Sequence, residues 1–149
     1  MIYHGNQDIL KLHKVGFLCS KRCTASAVLS CFDWAKEQRE KGQCVIIGNH
    51  SQIERDVFDI LIKGVQPIIL VLARGLMKVW DARVLEAIAQ ERLLVISPFD
   101  SSIKRVSRNT AEIRNQKIIE LSDKLVIGYK TAGGQLDTLL KNHPHHALA

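Results

Sequence analysis

Cations, hydroxyls and glycines follow the short apolar runs of this sequence, at positions where a parallel α/β sheet carries its ligand-binding loops. Ser20, Lys21 and Arg22 follow the first run, and Arg74 follows the third. Lysine and arginine donate hydrogen bonds to phosphate oxygens, and a glycine lets the backbone approach them closely. The turns therefore predict an anion-binding edge. The candidate phosphate-binding residues in these turns are Ser20, Lys21, Arg22, Gly48, Asn49, Ser51, Arg74, Gly133 and Gly134.

The same turns carry no recognisable catalytic motif. The sequence contains no Gly-x-Ser-x-Gly elbow, no Walker lysine motif and no Gly-x-Gly-x-x-Gly fingerprint. The acids near the predicted edge, which we interpret as caps or surface groups, are Glu54, Asp56, Asp100 and Asp137. The six histidines and four cysteines follow no metal-ligand spacing, and the thiols are expected to be reduced. The sequence predicts a binding protein and not an enzyme, with no cofactor and no metal.

Length and composition predict one soluble globular domain. The 149 residues are 46% hydrophobic and 24% charged, and the formal net charge of +6 favours anionic partners. We expect a single domain over 1–149, with its core at about 12–141 and flexible termini. The longest purely apolar run, 68–73, is too short to cross a bilayer, and no signal-peptide pattern opens the chain. We therefore expect a cytoplasmic protein without membrane association.

Apolar runs alternate along the chain with amphipathic patterns of helical period. Continuous apolar runs between helices are typical of parallel strands that are covered on both faces. The sequence predicts an α/β, three-layer Rossmann-like fold with a mostly parallel sheet of about five strands flanked by helices. Residues 1–12 are expected to form a short helix or an arm, and residues 142–149 a frayed tail. The predicted strands are 15–19, 44–48, 67–72, 93–96 and 124–128, and the predicted helices are 25–41, 53–63, 81–90, 109–121 and 132–141.

Five segments, which follow one another in the same order, carry a family resemblance. Residues 114–123, Arg-Asn-Gln-Lys-Ile-Ile-Glu-Leu-Ser-Asp, are similar to a block Arg-Asn-Arg-x-Ile-x-x-Leu-Ser-Asp. Residues 15–22 and 45–56 resemble the first two strands of the same family with the turns that follow them, and residues 72–76 and 134–138 resemble two further glycine-containing turns. The family is the DNA-processing protein A (DprA/Smf) family, whose Rossmann-like domain belongs to the SLOG superfamily.

The resemblance implies a Rossmann-like domain that binds single-stranded DNA in a basic pocket and often forms a homodimer. Lys117 lies within the best-matching block and is added as a candidate contact. The contacts that the resemblance implies are Ser20, Arg22, Gly48, Arg114, Asn115, Gly134 and Thr138.

Two other functions stay open on the same resemblance. A sensor of the SLOG type would hold a nucleotide or a nucleotide derivative, with one phosphate at the basic edge. A phosphoribohydrolase of the Lonely Guy type would need Gly-Gly-x-Gly-Thr-x-x-Glu, whereas residues 133–140 read Gly-Gly-Gln-Leu-Asp-Thr-Leu-Leu. This segment lacks the third glycine and the glutamate, so the enzyme is the least supported of the three.

Overall fold

A twisted α/β sheet organises the chain, and the computed structural model describes residues 1–148. Each central strand buries both faces, as its unbroken apolar sequence predicts. The strands are β1 (Ile2–Gly5), β2 (Lys14–Leu18), β3 (Cys44–Ile47), β4 (Ile68–Val71), β5 (Leu93–Ser97), β6 (Lys124–Ile127) and β7 (His146–Ala147). The helices are α1 (Ala25–Lys41), α2 (Gln52–Ile62), α3 (Ala82–Ala89), α4 (Arg108–Leu121) and α5 (Gln135–Leu139), with a 3-10 helix at Gln7–Lys11.

The strand order in the sheet is β1-β5-β4-β3-β2-β6-β7, and over the described residues 1–148 β1 pairs antiparallel with β5 while the other pairs are parallel. The chain builds outward from β2 through β5 on one side, then crosses back to place β6 on the other side of β2. The loops after β2 and β6 therefore leave the sheet in opposite directions. Such a reversal opens a crevice at the carboxyl ends of the two strands, which is the common ligand site of open α/β sheets.

Successive side chains along each strand point to opposite faces of the sheet, and each face packs into its own hydrophobic core. Val45 and Ile47 of β3 join a core that includes residues of α1, α2 and α3. Ile46 of the same strand joins the opposite core, which includes Ile118 of α4 and Leu136 of α5. The sheet therefore lies between two layers of helices, one packed on each face. Within residues 1–148, no helix has the length and apolarity that a bilayer crossing requires.

The predicted fold class and the mostly parallel sheet are confirmed, but the count of about five strands was too low. The structure has seven strands over the described residues. The two additional strands, β1 and β7, lie in the segments expected to be an arm or short helix and a frayed tail. Neither has a continuous apolar run, and both are held by backbone pairing to a buried neighbour.

The last helix is shorter than its pattern predicted. The prediction was 132–141, whereas α5 covers Gln135–Leu139. Gly133 has a φ of 71°, which is in the left-handed region and prevents the helix from starting earlier. The flexibility expected for the termini stays a prediction.

Candidate functional site

A cleft of about 490 Å³ lies at the carboxyl ends of β2 and β6, where the strand order reverses. We call it cleft A. Four parts of the chain build it: the β2–α1 loop, the β3–α2 loop with the start of α2, the start of α4 with the residues just before it, and the β6–α5 loop with the start of α5. Its lining residues are Cys19, Ser20, Lys21, Arg22, His50, Glu54, Val106, Ser107, Arg108, Ala111, Arg114, Asn115, Thr131, Gly134, Gln135 and Leu136.

A second cleft of about 440 Å³, cleft B, adjoins the first along the carboxyl edge of the sheet. His50, Val106 and Arg114 line both clefts and form the wall between them. Cleft B extends over the loops that follow β3, β4 and β5. The remaining lining residues of cleft B are Asn49, Leu72, Ala73, Arg74, Met77, Lys104 and Arg105.

Positive charge is concentrated around these two clefts. Among residues 1–148, seven lysines and arginines line the two clefts and Glu54 is the one carboxylate that does so, which is a local excess of six positive charges. Over residues 1–148, none of six of these cations has a carboxylate within 4.0 Å. Their charge is available to an anion. These six cations are Lys21, Arg22, Arg74, Lys104, Arg105 and Arg108.

The seventh cation, Arg114, forms a buried ion pair with Glu54 in the wall between the clefts. Nη1 lies 3.0 Å from Oε2 of Glu54, and the two side chains are only 5% and 10% exposed. Arg114 Nη2 donates to Oε1 at 3.4 Å, and Nε donates to Oδ1 of Asn115 at 2.8 Å. The pair fixes α4 against α2 and leaves this wall close to electrically neutral.

Glu54 is held from its own helix as well. The Ser51 N–H and hydroxyl donate to Oε1 of Glu54 at 3.1 and 2.8 Å, and the Ser51 hydroxyl accepts from the Glu54 N–H at 3.4 Å. This capping box starts α2 and orients the carboxylate toward Arg114. The interpretation of Glu54 as a helix cap was therefore correct, although the cap also has an ionic partner.

Gly48 provides the space that the ion pair occupies. A Cβ at this position would overlap with Nη1 of Arg114 and with Oε2 of Glu54. The expected role of Gly48 was to let the backbone approach a phosphate. The structure places the glycine against the ion pair instead, outside the residues that line either cleft.

Ser20 joins the two loops on either side of the strand reversal. Its N–H donates to the Tyr129 carbonyl at 2.9 Å, and its hydroxyl accepts from the Thr131 N–H at 3.2 Å. The β2–α1 loop, with exposed Lys21 and Arg22, is therefore fixed at its start by the β6–α5 loop. This contact positions two unpaired cations at the mouth of cleft A.

His50 lies on the shared wall, next to several cations. Partial burial lowers the pKa of its imidazole; Glu54 opposes this shift, while Lys21, Arg114 and Arg55 add to it. The ring is therefore neutral at neutral pH and becomes a further cation in acid.

The structure brings most of the predicted contacts together. Cleft A contains Ser20, Lys21, Arg22, Arg114, Asn115 and Gly134, and cleft B contains Asn49, Arg74 and again Arg114. Each of these stays a prediction as a phosphate contact.

Five predicted residues lie outside the lining of both clefts: Gly48 and Ser51, described above, and three others. Lys117 pairs with Glu120 at 2.8 Å. The Gly133 N–H donates to Asp137 at 2.8 Å, and the Thr138 hydroxyl donates to the Gly134 carbonyl at 3.1 Å. These side chains and backbone groups serve local structure in their own helices and turns.

The predicted contacts did not include His50 or the cations at and just before the start of α4, although these residues follow apolar runs at the predicted basic edge. Lys104, Arg105 and Arg108 follow β5, and a capping box between Ser107 and Thr110 starts α4 beside cleft A. The signal was present in the sequence, because a serine before a helical pattern indicates a helix N-terminus and the three cations lie within three residues of Ser107. Over residues 1–148, no three histidine, cysteine or acidic side chains cluster as a metal site would require.

No protein-family model matches this sequence, and no curated protein matches it. Solved structures do match. DNA processing protein A from Helicobacter pylori superposes with a TM-score of 0.74 at 18% identity, over 97% of this chain and 69% of that protein. The Streptococcus pneumoniae protein of the same name superposes with a TM-score of 0.66 at 19% identity, over 84% of this chain and 44% of that protein.

The molybdenum cofactor carrier protein of Chlamydomonas reinhardtii is more distant, with a TM-score of 0.50 at 9% identity over 91% of this chain and 88% of that protein. The resemblance to DNA processing protein A, first seen in a few sequence segments, thus extends through nearly the whole described fold. The chain has the Rossmann-like fold of DNA processing protein A.

Proposed function

We propose that this chain binds single-stranded DNA by holding consecutive phosphates in clefts A and B. The observation that carries this proposal is the set of six cations without carboxylate partners around two adjoining clefts. Elsewhere among residues 1–148 some cations are paired, as Lys41 is with Glu37, and others, such as Lys63, have no carboxylate within 4.0 Å, but these six share two adjoining clefts. Unpaired cations distributed over two adjoining clefts suit a chain of phosphates better than a neutral ligand.

The arrangement of the clefts favours a strand over a single nucleotide. One phosphate would occupy one cleft and leave the cations of the other unused. A strand that crosses the shared wall at His50 and Arg114 would use both sets. Helicobacter pylori DNA processing protein A, which has this fold, is described as having a single-stranded DNA binding mode.

The lining residues predict how such a strand would be held. Apart from the imidazole of His50, no aromatic ring among residues 1–148 lines either cleft, so stacking on bases contributes little. Affinity then depends mainly on phosphate contacts and varies little with base sequence. We infer weak sequence preference and a strong dependence on salt.

A nucleotide or nucleotide-derivative sensor is the second candidate. The volume of cleft A is in the range of small-ligand sites, and the helix N-terminus of α4 opens onto it. In this case the cations of cleft B would be dispensable. A hydrolase has less support, because Glu54 is already committed to Arg114 and Ser51. A non-enzymatic role, a homodimer and a cytoplasmic location stay predictions.

The test is fluorescence anisotropy with labelled oligo-dT of increasing length and with dTMP as competitor. Strand binding predicts that affinity rises with length and that dTMP competes poorly. Arg105→Ala in cleft B is expected to weaken binding of the long strand by about tenfold, the effect of one charged hydrogen bond. Lys63→Ala, an exposed lysine at the far end of α2, is the matched control and leaves affinity unchanged.

Two results would redirect the proposal. Length-independent binding that dTMP competes fully, with Arg105→Ala unchanged, would favour the sensor. Failure of oligo-dT to bind at low salt would reject the strand-binding function.

A further inference from the structure

Three thiols cluster beneath the loop that carries Lys21 and Arg22. Cys19 ends the run that forms β2, Cys23 ends the loop, and Cys31 lies on α1. The Sγ atoms of Cys19 and Cys23 are 3.2 Å apart, and both residues are half-buried. The Cys23 thiol also lies 3.3 Å from the Ser20 carbonyl oxygen, to which it donates. All three cysteines are free thiols.

Cys31 belongs to the core against which this pair packs, and it is fully buried. Its Sγ and that of Cys19 both pack against Gly128, where an added Cβ would approach them to 2.5 and 3.1 Å. Hydrogen bonding to Cys31, together with burial, raises the pKa of the Cys19 thiol. The same hydrogen bond lowers the pKa of the Cys31 thiol, and burial opposes this shift.

We propose that Cys19 and Cys23 are a reversible oxidation site, in which hydrogen peroxide joins them as a disulfide and so weakens binding at cleft A. The disulfide is independent of the DNA-binding function, whereas its effect on cleft A rests on that proposed function.

The chemistry balances with peroxide as the oxidant. The sulfur of one thiolate attacks a peroxide oxygen, the O–O bond breaks, and the leaving hydroxide takes a proton to become water. This gives a sulfenic acid. The sulfur of the second thiol attacks the sulfenic sulfur, the S–O bond breaks, and the departing hydroxide takes the second thiol proton. Two thiols lose two electrons to peroxide and two waters form. An excess of dithiothreitol reverses the reaction by thiol–disulfide exchange.

Closing this bond must move the cations between the two cysteines. The sulfurs approach from 3.2 Å to about 2.05 Å, and Cys23 loses its hydrogen bond to the Ser20 carbonyl. Ser20 is fixed by Tyr129 and Thr131, and the Thr24 side chain caps α1 just after Cys23. The adjustment therefore falls on 21–23, which includes the two unpaired cations of this loop.

The covalent step is tested by intact mass and by peptide mapping after alkylation of the free thiols. Peroxide is expected to remove two hydrogen atoms from the wild-type protein, in a Cys19–Cys23 peptide that dithiothreitol reverses. Cys23→Ser is expected to form no disulfide, and Cys44→Ala, which removes a buried thiol outside the cluster, to form it as wild type does. A linkage that contains Cys31, or no linkage at all, would overturn the assignment. The mass measurement on wild type decides this even where a variant folds poorly.

The effect on cleft A is tested with labelled oligo-dT. Oxidised wild-type protein is expected to bind about tenfold more weakly than reduced protein, which corresponds to one lost charged contact, and dithiothreitol restores the affinity. Cys23→Ser is expected to bind equally before and after peroxide. A disulfide that leaves affinity unchanged would overturn the regulatory part alone. If the reduced protein does not bind, the DNA-binding function and the regulation that rests on it fail together, whereas the mass result still decides the disulfide.

Discussion

Replacing Glu54 with glutamine tests whether the wall between the clefts depends on its ion pair. The substitution keeps the size of the side chain but removes the negative charge opposite Arg114. The glutamine oxygen could still accept from Ser51, but its NH₂ group would then face the Arg114 guanidinium, donor against donor. Arg114 is 4% exposed and has no other carboxylate within 4.0 Å among residues 1–148.

The expected cost follows from this burial. Removing one partner of a buried ion pair typically costs about 3 to 5 kcal/mol, because the remaining charge stays desolvated. Both side chains keep some access to cleft A, so we expect about 3 kcal/mol, at the lower end. For a domain of this size that lowers the Tm by roughly 6 to 12 °C.

Urea denaturation followed by circular dichroism measures the change in the free energy of unfolding. Asp56→Asn is the matched control on the same helix, since its carboxylate accepts only from Gln52 at 2.7 Å and has no ionic partner among the described residues. We expect the control to stay within about 0.5 kcal/mol of wild type. A Glu54→Gln variant as stable as the control would refute the argument that this pair holds α2 and α4 together.

The remaining predictions concern the same wall. Gly48→Ala is expected to cost about 3 kcal/mol by displacing the ion pair. Chemical denaturation measures the loss in free energy of unfolding for Gly48→Ala, Glu54→Gln and the double variant. Because both changes break the same ion pair, the loss in the double variant should be well below the sum of the two single losses. Additive losses would show that Gly48 acts on another part of the structure. Lowering the pH should strengthen oligo-dT binding: burial lowers the pKa of His50, so its added positive charge appears on the acid side of about 6.5. Anisotropy titrations above and below pH 6.5 compare oligo-dT affinity in wild type and in His50→Gln. An equal gain in affinity in both proteins at low pH would assign the effect to another group.

The central strands and first helices were readable from the sequence because burial dictates their composition. The runs at β3, β4 and β5 are continuously apolar, and the predicted range of α1 matches its observed bounds, Ala25–Lys41. Thr24 caps the start of this helix and Gly42 caps its end, and such capping depends only on neighbouring residues. Local physics was sufficient in these elements.

The edge strands and the ion pair could not be read in the same way. Residues Ile2–Gly5 have no apolar run, and their strand exists because backbone groups pair with β5, more than 85 residues further along the chain. Glu54 and Arg114 are 60 residues apart, and no local pattern predicts that they meet. The turns were identified correctly as cationic, but which cations are free and which are paired is a tertiary property.

Salt dependence tests most directly the claim that both clefts hold phosphates. For single strands, the slope of log affinity against log salt is about −0.7 per neutralised phosphate. Engagement of all six unpaired cations would give about −4, and Arg22→Ala in cleft A and Arg105→Ala in cleft B should each make the slope shallower by about 0.7. Lys63→Ala should leave it unchanged. A wild-type slope near zero, or slopes that neither cleft variant alters, would contradict the account.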